Sequence, residues 1–530
     1  MPHSRDKLQT YGIAFCGVCL VLAVGIHWLT ADAPLRRVLA NTVQLCGGAA
    51  AISVPVGLLL ALLLTRTDVA GRRLAWLTLL TLLFLPLHST AAGWVTVFGK
   101  LGSQAPAFFQ TAQPLVDGML AVIWIHAMAA IPWVTLIITL GLAAIPQEVE
   151  EAALLDTSPA RFFTGIGLRY YAPFVLATGL WVVITTAGEM TVTNLYVVAT
   201  YAEELYNSVA RGGDARTAGL KVLPGIVGTI FLAGAVCGMV AALLPAGLGK
   251  RFAQPRVYSL GVWRWPSTIM SWSVMALIFG VPLVSLIYKA GLVKQVIGDE
   301  QVRSWSLPSL LSLLATMSYR FRGDFGNSLL FAAGGVGVAL IIALPLALLA
   351  RRGGVRSLPA ILAVALCWSL PGPLVGISLT WLLNWNFAPL IFLYDKTPLA
   401  PALALGIKTL PITILILWGA FASIPQQTLE AARLDGAGNL ALFLRIIIPQ
   451  RAAAIALAGV VAFAIGLGDL AWSILLIHSD TVQRRVFGLI HYGVEEQVAA
   501  VSLVTLAMFF LLALGLQVAH RQMRTPRKPT

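Results

Sequence analysis

Twelve long apolar segments constrain the fold of this chain more than any other feature. Many windows exceed about 18 apolar residues, the length at which a helix spans the hydrocarbon core of a bilayer. A soluble core cannot absorb them, because 58% of the 530 residues are hydrophobic and only 11% are charged. Soluble domains carry about twice that share of charged residues. The sequence therefore predicts an all-α polytopic membrane protein.

The predicted spans form two groups of six. Those of the first half are roughly 10–30, 38–64, 74–98, 118–143, 172–193 and 222–247; those of the second are roughly 268–288, 326–350, 358–383, 399–421, 452–477 and 498–518. The first segment follows Arg5 and Lys7, as a signal peptide would, but its apolar run is long for one. It is predicted to be an uncleaved anchor.

The distribution of charge orients these spans. With both termini in the cytoplasm, the predicted cytoplasmic pieces carry 21 Lys and Arg against 8 Asp and Glu, or +13 of the net +14. Cytoplasmic loops collect basic residues, so the charge indicates topology rather than nucleic-acid binding. The longest outside loop, about 289–325, is apolar enough to lie on the membrane surface or to cap a pore.

A charged segment of twelve residues occurs twice between apolar spans. Residues 145–156 read IPQEVEEAALLD, and residues 424–435, which lie 279 positions later, read IPQQTLEAARLD; eight positions are identical. A polar sequence that recurs in a mostly apolar chain is expected to contact something outside the membrane. The alternative is that both segments merely connect helices.

Further pairs recur in the same order along the two halves. They are Asn41-Thr42 with Asn327-Ser328, Leu85-Pro86 with Leu370-Pro371, Pro132 with Pro411, and Gly188-Glu189 with Gly468-Asp469. Repeats of six spans in the same order are parallel and related by an axis along the membrane normal. The predicted division is a first half over 1–250 (core about 38–250), a cytoplasmic linker over 251–267 and a second half over 268–530 (core about 320–518).

The sequence contains no recognisable site that would supply energy for transport. It has no GxxxxGK[ST] phosphate loop, no chain of acidic residues through the spans, and cytoplasmic pieces too short for a folded enzyme. Cys16 and Cys19 form an isolated CxxC in an apolar run, which favours small apolar residues over a metal site. The sequence predicts no enzyme activity, no cofactor and no bound metal.

The repeated segment resembles the EAA motif of permease subunits of binding-protein-dependent ABC importers. That motif is Glu-Ala-Ala, three residues and Gly between two spans, and residues 430–436 (EAARLDG) fit it fully. Two copies on a chain of twelve spans are similar to the fused permeases of the ferric-iron and thiamine type. The resemblance covers roughly 38–250 and 320–518.

The resemblance implies a function and partners. The fold would be that of a type I ABC importer permease in the bacterial inner membrane, with an ATPase dimer in the cytoplasm and a solute-binding protein outside. The coupling residues that correspond to the motif are Glu151, Ala152, Ala153, Asp156, Glu430, Ala431, Ala432, Asp435 and Gly436. Ferric iron is the first expectation for the solute; thiamine, polyamines and oxyanions remain alternatives, and an ion-coupled secondary transporter is the alternative class.

The residues of the second copy favour a helix, a sharp turn and a second helix. Residues 430–434 are good helix formers, Asp435-Gly436 is a turn signal, and residues 437–445 can form the next helix. Glu430 is expected to orient the segment through a salt bridge or a helix-cap bond. The first copy has Thr157 in place of the glycine, with Ser158 and Pro159 able to start a helix, and is therefore expected to couple less tightly.

Three charged residues are candidates for a translocation path. Glu189 and Asp469 lie late in equivalent spans, where an acid is costly unless it faces water or a partner. They either face a path or are helix-end acids that bond to neighbouring backbone. Lys408 is expected to reach the interface or to pair with Asp469, and His126 to be a hydrogen-bonded packing residue rather than a ligand.

Overall fold

A computed structural model of the chain describes residues 33–99, 114–210, 256–297, 300–470 and 480–524, together with residues 227, 230, 234, 472, 474 and 476. The predicted span 10–30, and all but three residues of 222–247, lie outside this part. So do Cys16, Cys19 and Cys237.

The described residues are almost entirely helical. In chain order the helices are α1 Ala33–Arg66, α2 Arg72–Phe84, α3 Leu87–Phe98, α4 Gly118–Ala143, α5 Gln147–Asp156, α6 Pro159–Thr164, α7 Leu168–Ala187, α8 Thr191–Leu195, α9 Tyr201–Ala210, α10 Arg264–Met275, α11 Val281–Ala290, α12 Leu307–Arg320, α13 Arg322–Ala350, α14 Leu358–Ser369, α15 Gly372–Leu383, α16 Ala388–Lys396, α17 Leu399–Ala422, α18 Gln426–Leu434, α19 Asn439–Leu442, α20 Ile448–Leu467, α21 Val482–His491 and α22 Glu495–Arg524. Two 3₁₀ turns, Gly261–Trp263 and Gly354–Ser357, precede α10 and α14, and two π turns, Ala276–Gly280 and Phe443–Ile447, precede α11 and α20.

The apolar helices confirm a multi-pass helical membrane protein. Among the described residues, eight helices are long and apolar enough to cross a bilayer, or ten if each of two bent pairs counts as one span. These ten correspond to ten of the predicted spans. The total of twelve stays a prediction, because the other two spans lie outside the described residues.

The predicted spans 74–98 and 358–383 are each broken near their middle. α2 and α3 meet at 105°, and α14 and α15 meet at 103°. The breaks fall at Leu85-Pro86 and at Leu370-Pro371, where both prolines have extended backbone angles and precede a new helix. Proline removes a backbone donor and disfavours helical angles at the residue before it, so each pair forces a break. The repeat therefore contains a helix end inside each half.

One hydrogen-bonded staple occurs in both halves at the predicted repeat positions. Asn41 Nδ2 donates to Ala199 O at 2.9 Å, and Asn327 Nδ2 donates to Asp480 O at 3.0 Å. The next residue repeats the match, since Thr42 Oγ1 accepts from Tyr201 N and Ser328 Oγ accepts from Val482 N, each at 3.0 Å. The start of each core is thus tied to the segment that leads into α9 in the first half and into α21 in the second half.

Helices from the two halves interlock. α11 and α22, from the second half, pack on α3 of the first, and their buried side chains belong to one hydrophobic cluster. Gly93 of α3 makes this contact possible, because a Cβ there would lie 2.8 Å from Pro282. Removing a side chain lets two helix backbones approach closely, as membrane helix interfaces commonly do.

The predicted outside loop is largely structured. β1 (Leu292–Ile297) and β2 (Glu300–Trp305) form an antiparallel hairpin, with Leu292 opposite Trp305. α12 follows, begins at the N-cap Ser306, and packs mainly on α22. The all-α prediction therefore misses one hairpin, because the sequence argument treated this segment only as a loop.

Candidate functional site

The two copies of the repeated segment form matching helices with the same exposed face. We call α5 with α6 the first motif element, and α18 with α19 the second motif element. The exposed positions common to both include Glu151, Ala152, Leu155 and Asp156 in the first and Glu430, Ala431, Leu434 and Asp435 in the second. Ala153 and Ala432 are half-buried in both. Leu155 is 86% exposed and Leu434 is 89% exposed, so each element presents an unpartnered leucine beside its acids.

The second motif element turns at Gly436, as predicted. Gly436 has φ +83°, and Ala437 N closes the turn by donating to Ala432 O at 3.0 Å. Glycine adopts this left-handed conformation without the steric cost of a side chain. The predicted second helix begins two residues late, at Asn439, and continues through the π turn Phe443–Ile447 into α20.

The first motif element makes its turn without a glycine. α5 ends at Asp156, and Thr157 is extended, with φ −133° and ψ 156°. Its N–H and its hydroxyl both donate to Ala153 O, at 2.9 and 2.8 Å. Ser158 then stands at the N-cap of α6 and Pro159 at its first position, although the serine side chain makes no cap bond. The missing glycine is therefore no defect of the turn.

The expected anchoring of Glu430 is wrong. Its Oε1 accepts from Gln426 Nε2 at 3.0 Å, within the same helix, and among the described residues it forms no salt bridge or cap bond. Glu151 makes the same contact with Gln147 Nε2 at 2.7 Å. Both glutamates are exposed, so these bonds fix the carboxylates on the helix surface and leave them accessible.

A buried ionic cluster anchors the first motif element only. Arg66 Nη1 lies 2.8 Å from Glu150 Oε2, and the two side chains are 3% and 4% exposed. Arg66 Nη2 also donates to Leu142 O at 2.5 Å, and the Tyr258 hydroxyl donates to Glu150 Oε1. Burial, and then the hydrogen bond to Glu150, raise the pKa of Tyr258, so its hydroxyl stays protonated. At the equivalent position the second element has Leu429, which is buried.

The predicted pair of Lys408 and Asp469 is present. Lys408 Nζ lies 2.5 Å from Asp469 Oδ1, and Asp469 Oδ2 accepts from Trp472 N at 3.1 Å. The Asp469 side chain is only 1% exposed, whereas that of Lys408 is 27% exposed. α20 ends at Leu467 with Gly468 at its C-cap, which explains how the acid meets a new set of backbone donors. Within this ion pair, Lys408 is therefore accessible and Asp469 is buried.

Glu189 occupies the equivalent place after α7 but has a different partner. Its carboxylate accepts from Thr191 N at 2.7 Å and Val192 N at 3.2 Å, and lies 3.3 Å from His126 Nε2. His126 Nδ1 lies 2.8 Å from Val122 O, so Nδ1 carries a proton. A proton on Nε2 as well would pair an imidazolium with the carboxylate. His126 is therefore hydrogen-bonded, as predicted, and it also lies beside the Glu189 carboxylate.

All of these groups border one cavity between the two halves. It has a volume of about 330 Å³, and its lining includes Glu189, His126, Lys408 and Asp469. Both helix breaks contribute to it, and so do four tryptophans: Trp133, Trp181, Trp368 and Trp472. Each acid combines backbone hydrogen bonds with a place on the cavity wall. The predicted bonding of Glu189 and Asp469 to neighbouring backbone is therefore confirmed, and their place on a translocation path stays a prediction.

Sequence reasoning missed His88, Arg66, Glu150 and Tyr258. His88 follows the break at Pro86, lines the cavity and lies near Gln483, and its Nε2 has no hydrogen-bond partner among the described residues. Its signal was its position two residues after a repeated Leu-Pro pair. The signal for Glu150 was its mismatch with Leu429 in otherwise similar segments. Nothing in the sequence pairs it with Arg66 or Tyr258, which lie 84 and 108 residues away.

The described residues contain no group of three or more His, Cys, Asp or Glu side chains that could hold a metal ion. No known family matches the chain by its sequence profile, and no curated protein matches it.

Proposed function

We propose that this chain is the permease of an ATP-driven importer, with both halves of the translocation path on one polypeptide. The observation that carries the proposal is the shared exposed face of the two motif elements. Each motif element has, at the end of a short helix, an exposed acid beside a leucine that is more than four-fifths exposed. The equivalent positions of the two elements are 279 residues apart. Two similar surfaces, which the proposal places on the cytoplasmic side, suit a partner that itself has two similar subunits.

The partner is a cytoplasmic ATPase dimer, and a solute-binding protein delivers the solute from outside. The chain itself is not an enzyme in this proposal. It lies in the bacterial inner membrane with both termini cytoplasmic, because that orientation leaves the basic residues inside. Ferric iron is the first candidate solute by resemblance, followed by thiamine, polyamines and oxyanions.

The translocation path passes through the cavity between the halves, with Glu189, Asp469 and Lys408 on its wall. α7 has 20 residues and rises about 30 Å from the first motif element. A closing movement at the motif elements therefore acts at one end of helices whose other ends carry the cavity acids. This arrangement can transmit movement from the ATPase to the path.

A second candidate is an ion-coupled secondary transporter. The observation that favours it is the meeting of His88, His126, Glu189, Lys408 and Asp469 on one cavity, since titratable groups inside a membrane can relay protons. An ATP-driven importer explains why both motif elements expose the same face, because the ATPase would bind there. A secondary transporter offers no such explanation.

The test is uptake by the chain reconstituted in liposomes with its candidate ATPase and binding protein. Radiolabelled ferric iron, thiamine, putrescine and phosphate are offered in turn. ATP-dependent uptake of any one supports the importer, and that solute identifies its class. Uptake that follows an imposed proton gradient without ATP rejects the importer in favour of the secondary transporter.

A further inference from the structure

The inter-half linker docks on the first motif element. Tyr258 N donates to Arg66 O at 2.8 Å, and Asp68 N donates to Tyr258 O at 3.2 Å. These bonds lay the linker beside the end of α1 as a short parallel bridge between Thr67 and Tyr258. Two further bonds extend the contact, because Leu260 N donates to Asp68 Oδ1 at 3.0 Å and Arg264 Nε to Asp68 O at 3.1 Å.

The side chain of Tyr258 reaches both helices of the element. Its hydroxyl bonds to Glu150 of α5. Its ring meets Phe163 of α6 edge to face, with centroids 5.8 Å apart. The Arg66 guanidinium also lies 5.6 Å from the Phe163 ring, so one cluster joins α1, α5, α6 and the linker.

The second motif element has only part of this arrangement. Arg351 occupies the place of Arg66 and donates from Nε to Phe421 O at 2.9 Å, just as Arg66 donates to Leu142 O. Leu429 offers no charge to hold, and the described residues place no tyrosine over it. A left-handed glycine sets the turn that follows.

We propose that residues 256–264 are a brace that fixes the first motif element to α1, with Tyr258 as the positioning residue. The first motif element then moves as one body with α1 and with the start of α10. The second motif element moves about Gly436 without such a brace. Resting on the proposed function, the inference further assigns the two elements unequal parts in coupling, a rigid one and a mobile one.

The brace is tested by spin labels on the full chain in lipid nanodiscs, without any partner. A single cysteine replaces Leu155 or Leu434 in a background free of the native cysteines; the two sites are matched in position and exposure. The label at 155 is expected to move about twofold more slowly, on the nanosecond scale, than the label at 434. Tyr258→Phe is expected to abolish that difference by freeing the label at 155 and leaving the label at 434 unchanged.

Two controls separate positioning from general loosening. Tyr170→Phe removes a hydroxyl from the hydrophobic cluster that includes Phe163, leaves Glu150 unchanged, and is expected to leave both labels unchanged. The double variant Arg66→Met with Glu150→Leu replaces the buried ion pair by apolar side chains, and is expected to reproduce Tyr258→Phe. Equal mobility at 155 and 434 in the unmodified chain, or a label at 155 that ignores Tyr258→Phe, overturns the brace.

The outcome is independent of the proposed function, because no ATPase is present. A confirmed brace in a chain that never couples to ATP hydrolysis leaves the brace standing and removes the importer. Coupled transport with a freely moving first element removes the brace and leaves the importer.

Discussion

The first motif element rests on a buried carboxylate, whereas the second rests on a buried leucine. Their exposed faces agree at Glu, Ala, Leu and Asp, but Glu150 and Leu429 stand at the same buried position. The two copies thus share exposed positions that a partner could contact and differ at the buried position beneath them.

The acids that follow α7 and α20 repeat this lesson inside the membrane. Glu189 and Asp469 both accept backbone hydrogen bonds after a helix that ends at a glycine. Their side-chain partners come from different turns of α4 and α17, since His126 and Lys408 are not at equivalent positions. The two acids therefore lie at matching positions, and each half supplies a different side-chain partner.

The largest expected difference between the halves comes from Glu150→Ala. This change leaves Arg66 buried without its counter-charge, which typically costs about 3–5 kcal/mol. Leu429→Gln, at the matched position, buries an uncharged polar group and is expected to cost about 1–3 kcal/mol. Denaturant titration of each variant in detergent measures its free energy of unfolding and checks the difference. The double variant Arg66→Met with Glu150→Leu is expected to recover most of the loss, and equal losses in the two single variants contradict the comparison.

Asp469→Ala is expected to destabilise the protein more than Glu189→Ala. Asp469 is 1% exposed, and its removal leaves both Lys408 and Trp472 N unpaired, which is expected to cost about 2–3 kcal/mol of stability. Glu189 is 18% exposed, so its removal is expected to cost less. The same titration measures the stability of each variant. In uptake assays the combined variant Glu189→Ala with Asp469→Ala is expected to lose transport while it remains folded. Unchanged uptake would make both acids structural only.

The sequence predicts well those features that are local or repeated. Both motif elements, the left-handed turn at Gly436 and the pair of Lys408 with Asp469 follow from residue types and spacing. The breaks at Pro86 and Pro371 do not, since a Leu-Pro pair inside an apolar run is compatible with a kinked span as well as with a 105° bend. The cluster of Arg66, Glu150 and Tyr258 is also invisible, because nothing local indicates contacts across 84 and 108 residues.

Gly436→Val tests whether the two turns differ as their backbone angles indicate. Gly436 has φ +83° with open space around its Cβ position, so the cost is conformational and on the order of 1–2 kcal/mol. Thr157 has φ −133°, so Thr157→Val loses only a hydroxyl bond and is expected to cost less. Gly436→Val is also expected to lower ATP-coupled uptake by misdirecting α19. A larger effect from Thr157→Val on both measurements would show that the first turn is the more constrained one.

Charge reversal on the shared face is expected to change stability least and to affect both halves alike. Glu151→Lys and Glu430→Lys each remove one exposed bond to a glutamine four residues earlier, so each is expected to cost less than about 0.5 kcal/mol. The expectation of a weaker first element rested on the missing glycine, and Thr157 supplies the turn without it. Copurification of the candidate ATPase with each variant should therefore fall to a similar extent, while the folded protein persists.

If both variants keep the ATPase and coupled uptake, the motif elements are only connectors and the proposed importer loses its main support. If only Glu430→Lys loses the ATPase, the two faces are not equivalent, and the partner docks chiefly on the second motif element.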